Sequence, residues 1–371
     1  MKTVTLISLL PALLLLACSC SISAAGIGNK KSSVYVDYEY GKLTEVIVGL
    51  ENGKSPDISA PWFEDAMKIL PEDEAEISRA TAGLNWKKLI YPDSGKSESQ
   101  LLAEENNALI AVLQKLGVKV YRPNEITEEY IIKNYGKDAL INGYSQDFPR
   151  DNALIIGNNI IEFNLRTPIR RVDISGFKDI FREKAKDETV KWFSMPHTEL
   201  LAPVSNDIPL LEGGDFMQLG ETILVGNSLN PNVGSNEAGY RWIKSILGDK
   251  FNFIRVPLVE EILHLDCALS IPKRGLAIIC PEAFVNGIPD CIKDWDLIKV
   301  SLKDAKRLAV NGLPVDEKNY IMSHNKAVSN SYLKAELEKR GITVHMVYFN
   351  THNGEGGSIR CATLALKRAI D

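Results

Sequence analysis

Three segments of this chain repeat one outline, and that repetition limits the fold more than any other feature. Asp151 opens NALIIG-NN-IIEF, Asp215 opens FMQLG-ET-ILVG, and Asp266 opens CALSIP-KRG-LAIIC. Each reads as a polar residue, an apolar strand, a tight turn and a second strand, since apolar and β-branched runs flank a short turn. Asn311 before GLPVDEKNYIMSH and Cys361 before ATLALKR follow the outline more loosely. The openings recur every 45 to 65 residues, roughly. Helix-like stretches separate the hairpins at 175–186, 235–247 and 330–340, and LTEVIVG at 43–49 can complete the last unit. Units of this size bury their apolar faces only against one another. Five of them predict an α/β fold, a five-bladed pseudo-symmetric propeller.

In such a ring the opening residues Asp151, Asp215, Asp266, Asn311 and Cys361 meet at one end of the central axis. Three carboxylates and a thiol crowded together raise one another's pKa, a cost that a bound cation relieves. The bland alternative is that each acid is a separate strand-start or turn residue, where Asp is common.

Composition narrows the class. With 45% hydrophobic and 25% charged residues among 371, the chain has the makings of a folded soluble protein and is neither disordered nor membrane-embedded. A formal net charge of -5 lacks the basic surface of a nucleic-acid binder. The first 25 residues read as a secretory signal peptide: Lys2, an apolar stretch from Leu6 to Leu16, then small residues to Ala25. Leu15-Leu16-Ala17-Cys18 also resembles a lipobox, with Cys18 as the lipidated residue, although Leu16 is larger than usual there. Ordinary cleavage after Ala25 is the alternative. The expectation is an exported protein, periplasmic or membrane-anchored as a lipoprotein if bacterial, with residues 26–37 as a tether and 38–371 as one domain. Cys267, Cys280, Cys291 and Cys361 have no zinc spacing, so neither metal nor cofactor is expected. A Cys280–Cys291 disulfide stays open for an exported chain.

Four segments then stand out in order: Pro149-Arg150-Asp151, Leu211-Glu212-Gly213-Gly214-Asp215, His264-Leu265-Asp266, and Gly356-Gly357-Ser358-Ile359-Arg360-Cys361. Together they resemble the signature segments of the guanidino-group-modifying superfamily, from about Tyr38 to Arg368. Amidinotransferases, arginine deiminases and dimethylarginine hydrolases belong to it. The resemblance implies a five-bladed α/β (pentein-like) propeller, in agreement with the repeat. It also implies Cys361 as nucleophile, His264 as general acid and base, and Glu212 as the acid orienting His264. Asp151 and Asp266 would grip the guanidinium, with Asp215 touching substrate or supporting a loop.

These residue types suit that chemistry. A guanidinium is planar and always charged, and carboxylates meet it with paired charge-assisted hydrogen bonds. A thiolate attacks without a strong base, and a nearby cation lowers its pKa. Gly354, Gly356 and Gly357 allow close backbone approach. Taken singly, Cys361 and His264 would pass for structural residues.

The expected partners are a small guanidino substrate and an amine acceptor, giving amidino transfer through an amidino-cysteine. Hydrolysis of arginine or a substituted guanidine is the alternative, as Glu212-Gly213-Gly214-Asp215 looks more like deiminases. The arginine deiminase pattern has an Arg where Gly226-Asn227-Ser228-Leu229-Asn230 stands, which counts against a plain arginine deiminase and leaves carboxylate recognition unassigned. A third reading, a non-catalytic propeller binding a guanidinium compound or a protein, sits poorly with Cys361, His264 and Glu212 all present.

Overall fold

A computed structural model describes residues 32–369 apart from Ile69. The leader, Cys18 and residues 26–31 lie outside the described residues.

Five three-stranded sheets succeed one another along the chain. In the first, Ala153–Ile156 pairs antiparallel with Asn159–Glu162, and Lys191–Ser194 then lies parallel to the latter. The second repeats the pattern with Phe216–Leu219, Thr222–Ser228 and Asn252–Leu258. The third uses Leu269–Lys273, Leu276–Ile279 and Asp296–Lys299. The fourth uses Leu313–Asp316, Asn319–His324 and Thr343–Tyr348. The last is assembled from both ends of the chain: Thr363–Ala369 pairs antiparallel with Lys42–Val48, which pairs parallel with Lys119–Tyr121. The N-terminal strand thus completes the fifth unit, as the repeat requires.

Parallel third strands need a crossover, and helices supply most of them. Lys178–Lys184, Glu237–Leu247, Ser331–Lys339 and Glu98–Lys115 serve four units. The third unit crosses with only the 3-10 turn Pro281–Ala283. Hairpin turns place Gly157 and Gly220 at φ +56° and +76°, which side chains other than glycine's rarely tolerate.

Alternation along each strand sends successive side chains to opposite neighbours. Leu154, Ile156 and Ile161 pack toward Phe216, Ile223 and Val225 of the second unit. Ala153, Ile155 and Ile160 face instead the last unit, with Val46, Leu364 and Leu366. Similar seams join the second unit to the third and the third to the fourth. The core is therefore a ring of seams, and every unit depends on two neighbours. This is the α/β five-bladed propeller expected from the repeat.

Residues 32–37, expected as the end of a tether, are built into the domain. Val34 and Val36 are 0% and 3% exposed, and Tyr35 and Val36 exchange backbone hydrogen bonds with the last and first units. Their apolar side chains bury surface that a tether would leave in water. Cys280 and Cys291 are free thiols, as are Cys267 and Cys361. No helix among the described residues is long and apolar enough to cross a membrane.

On the axis the ring closes around Arg360, which is 1% exposed. Its guanidinium donates to Asp266 Oδ2 at 2.9 Å, Glu39 Oε1 at 3.1 Å and the Phe216 carbonyl at 2.7 Å. Replacing it with an apolar residue leaves two buried carboxylates without their cation. Arg360→Met is expected to cost about 3–5 kcal/mol in urea unfolding. Arg360→Lys should recover only part of that, because one ammonium cannot reach three partners on separate elements.

Candidate active site

A single helical turn precedes the first strand of several units and carries its polar residue to the axis. Pro149–Asp151 and Gly213–Asp215 are 3-10 turns, and Leu265–Ala268 is one turn of α-helix. The repeat outline has these residues open the strands, and a spacing of two in a strand would put His264 and Asp266 on one face. In the structure His264 is the extended residue capping the turn, while Asp266 lies inside it. The two side chains consequently part: His264 faces a cavity and Asp266 faces Arg360.

That cavity, about 200 Å³, is bounded in part by Cys361, His264, Glu212 and Asp151. His264 Nε2 lies 2.6 Å from Glu212 Oε2. Its Nδ1 lies 3.8 Å from Asp151 Oδ1. The other Glu212 oxygen accepts the Arg166 amide at 3.0 Å, which fixes the carboxylate plane. The Gly214 amide donates to Asp151 Oδ1 at 2.9 Å. A Cβ at Gly214 would fall 2.6 Å from His264 Nδ1, so a side chain there would displace the imidazole. Cys361 Sγ lies 3.9 Å from Asp266 Oδ2. Asn311 Oδ1 accepts both the Arg360 and Cys361 amides, at 3.1 and 3.2 Å, and so holds the turn that presents the thiol.

The charges oppose a thiolate in the ligand-free protein. Burial pushes the Cys361 thiol well above its ordinary 9.0, and the Asp266 and Asp151 carboxylates push it further. Burial works against a charged His264, yet Asp151, Asp215 and the Glu212 hydrogen bond outweigh it and hold the imidazole's pKa well above 6.5. The resting pair is a neutral thiol and an imidazolium.

Five of the six expected site residues gather within this constellation, with Asp266 behind the thiol and fully buried. Of the two roles expected for Asp215, its geometry is that of loop support. It is fully buried, its Oδ2 accepts the Ser235 amide at 2.9 Å and its Oδ1 the Leu265 amide at 3.2 Å. Both oxygens are committed to backbone, so it holds the His264 turn and does not face the cavity. Ser358 bonds Ser323, and Asn353 bonds Asn325, so loop chemistry accounts for both. Gly357 is needed because a Cβ would meet the Phe148 ring at 2.3 Å, whereas Gly354 has open space around it.

Arg170 and the cover over the cavity, Met67, Leu70 and Trp86, had no sequence signal. Arg170 touches Asp151 Oδ2 at 3.4 Å and Asp173 at 2.7 Å. Asn311 had one, its place as an opener of the repeat, though its role is on the backbone. No group of three or more His, Cys, Asp or Glu side chains among the described residues could hold a metal ion.

Comparison with known proteins agrees with this geometry. No family model matches the chain. It is 26% identical over 360 residues to L-arginine:L-lysine amidinotransferase of Pseudomonas savastanoi pv. phaseolicola, covering 89% of this chain and 93% of that one. It is 25% identical over 363 residues to inosamine-phosphate amidinotransferase 1 of Streptomyces griseus, covering 91% and 97%. In three dimensions it resembles an amidinotransferase of saxitoxin biosynthesis from Microseira wollei, with TM-score 0.72, 22% identity, and coverage of 91% and 98%. Over about nine-tenths of its length the chain is thus similar to amidinotransferases of the guanidino-group-modifying superfamily. A dimethylarginine dimethylaminohydrolase from the same superfamily shares the fold at TM-score 0.56 and 17% identity, covering 87% of this chain and 99% of its own.

The raised thiol pKa sets a pH test. Thiolate absorbance, taken as the difference between wild type and Cys361→Ser, is expected to stay absent at neutral pH without ligand and to appear only above pH 9.0. Saturation with a simple alkylguanidine should move that titration to lower pH, because a bound cation favours the charged sulfur.

Proposed function

We propose that this protein is an amidinotransferase that takes the amidino group of L-arginine or a related guanidino compound onto Cys361 and passes it to an amine acceptor. The observation that carries the covalent part is the convergence on one small cavity of a thiol, a Glu212-oriented imidazole and Asp151. Transfer in preference to hydrolysis is supported by the full-length likeness to relatives named as amidinotransferases, acting in their own names on lysine and inosamine phosphate.

In this reading the guanidinium enters beside Asp151, with Asp266 behind the thiol, and both carboxylates favour the planar cation. Its charge lowers the thiol pKa and the thiol proton leaves to solvent. Sulfur attacks the guanidinium carbon, and the carbon–nitrogen bond to the departing amine breaks as imidazolium His264 gives that nitrogen a proton. Neutral His264 then takes a proton from the incoming amine, which attacks the amidino carbon and expels Cys361 as thiolate. Glu212 keeps the ring oriented and its positive form stable through both halves. Asp151, which also accepts the Gly214 amide, ties substrate position to the His264 pocket.

Acid quench during turnover with arginine should trap protein heavier by one amidino group on the Cys361 peptide. A competent acceptor amine should clear it with formation of a new guanidino product. Clearance by water alone, with urea as product, would instead make the protein a hydrolase. An adduct that keeps the substrate chain and loses ammonia, cleared to a citrulline-type product, would make it a deiminase. Cys361→Ser should abolish the adduct, and His264→Ala should slow its formation by about 10²–10⁴-fold.

The leader supports a second, separate proposal about location: the chain is exported and tethered through a lipidated Cys18. The motif at Leu15 to Cys18 and the apolar run before it are the grounds. Wild-type protein should partition with membranes and Cys18→Ala should not. Soluble wild-type protein beginning at Gly26 would overturn the tether and leave export standing.

A further inference from the structure

The far wall of the Cys361 cavity carries a second group of carboxylates that the reaction above does not use. Asp147 and Glu355 both line the cavity. Asp147 is fully buried; its Oδ1 accepts the Ser145 hydroxyl at 2.6 Å, while Oδ2 has no hydrogen-bond partner. Glu98 stands behind them, also fully buried, with the Tyr91 hydroxyl as the neighbour that eases its charge. Unpaired buried carboxylate oxygens are uncommon and costly, and here at least two occur together.

Arg170 and His352 ease the charge on Asp147 without offsetting its burial, and no cation eases Glu98 or Glu355. Burial, with Asp147 and Glu105 beside it, raises Glu98 to about 7. Burial likewise raises Glu355, followed by Glu98 and Asp147. Among the described lining residues the basic side chains are Arg170 and His264, and both are engaged. Arg170 reaches Asp173, Asp151 and the Phe148 carbonyl; His264 reaches Glu212. The group lacks the arrangement of a metal site. What it lacks is a monovalent cation with several hydrogen-bond donors, and a primary ammonium offers three.

We propose that Asp147 and Glu355, backed by Glu98, form an ammonium subsite, and that the amidino donor is a guanidine bearing a primary ammonium at its other end. A substrate carboxylate finds no uncommitted cation in this wall, so the preferred donor is a guanidinoalkylamine. This rests on the amidino-transfer reading and narrows it to a substrate class.

Binding can be separated from chemistry in Cys361→Ser protein, titrated calorimetrically with agmatine, L-arginine and n-butylguanidine. Agmatine is expected to bind about tenfold or more tighter than n-butylguanidine, the effect of one charge-assisted contact, and no more weakly than L-arginine. In the same background Glu355→Gln should remove that preference while n-butylguanidine affinity stays within about twofold, which also reports that the cavity is intact. Glu98→Gln gives a second route to the same loss. Equal affinity for agmatine and n-butylguanidine, or a preference that survives both substitutions, overturns the subsite. L-arginine binding tenfold tighter than agmatine overturns the donor class. An agmatine preference with no amidino adduct in the wild-type protein keeps the subsite and rejects amidino transfer. An adduct that forms without any ammonium preference does the reverse.

Discussion

The buried guanidinium of Arg360 is the interaction on which the rest of this protein depends. It joins Glu39 near the N-terminus, Asp266 before the third unit and the Phe216 carbonyl at the start of the second. Few side chains could do this, because only a rigid fork of donors serves several acceptors that approach from different directions. Arg360 is also the residue before Cys361, so the contact that closes the ring helps to place that thiol. The crowding of acids on the axis, costly in isolation, is met by this built-in cation. Arg150 and Arg368 are buried on the same axis, and burial lowers their pKa to about 9 and about 10.

The reactive residues are set on short helical turns held by backbone hydrogen bonds, which makes the cavity rigid where atoms react. Asp215 clamps the His264 turn, and Asn311 clamps the Cys361 turn, each through two amides. Neither needs to touch a ligand to matter. The electrostatics follow the same economy: acids that raise the resting thiol pKa also attract the cation that lowers it. A neutral thiol and an imidazolium therefore wait for a guanidinium.

The placement of Glu98 shows how distant segments meet at the cavity. It is the first residue of Glu98–Lys115, after a Ser97 capping box, where the helix dipole eases a negative charge. It nevertheless lies next to Asp147 and Glu355, far away in sequence, without a basic partner. A stable arrangement of that kind makes sense when an occupant supplies the missing charge.

Much of the fold was legible in the sequence because strand alternation and hairpin turns are local, and their recurrence declares a ring before any contact is known. The open fifth unit, completed by Lys42–Val48, followed from counting. That Cys361, His264, Glu212 and Asp151 come together was legible from motifs in order. Other features needed the tertiary structure. Whether Asp215 faced a ligand or a backbone amide depended on Ser235 and Leu265. Whether His264 and Asp266 shared a face depended on a single helical turn that propensity does not announce. Whether residues 32–37 were tether or core depended on grooves beside Gly157 and Leu366. The acidic wall needed three segments brought together. Local periodicity determines elements and their number, whereas the partner of a buried polar group is set by whichever chain folds against it.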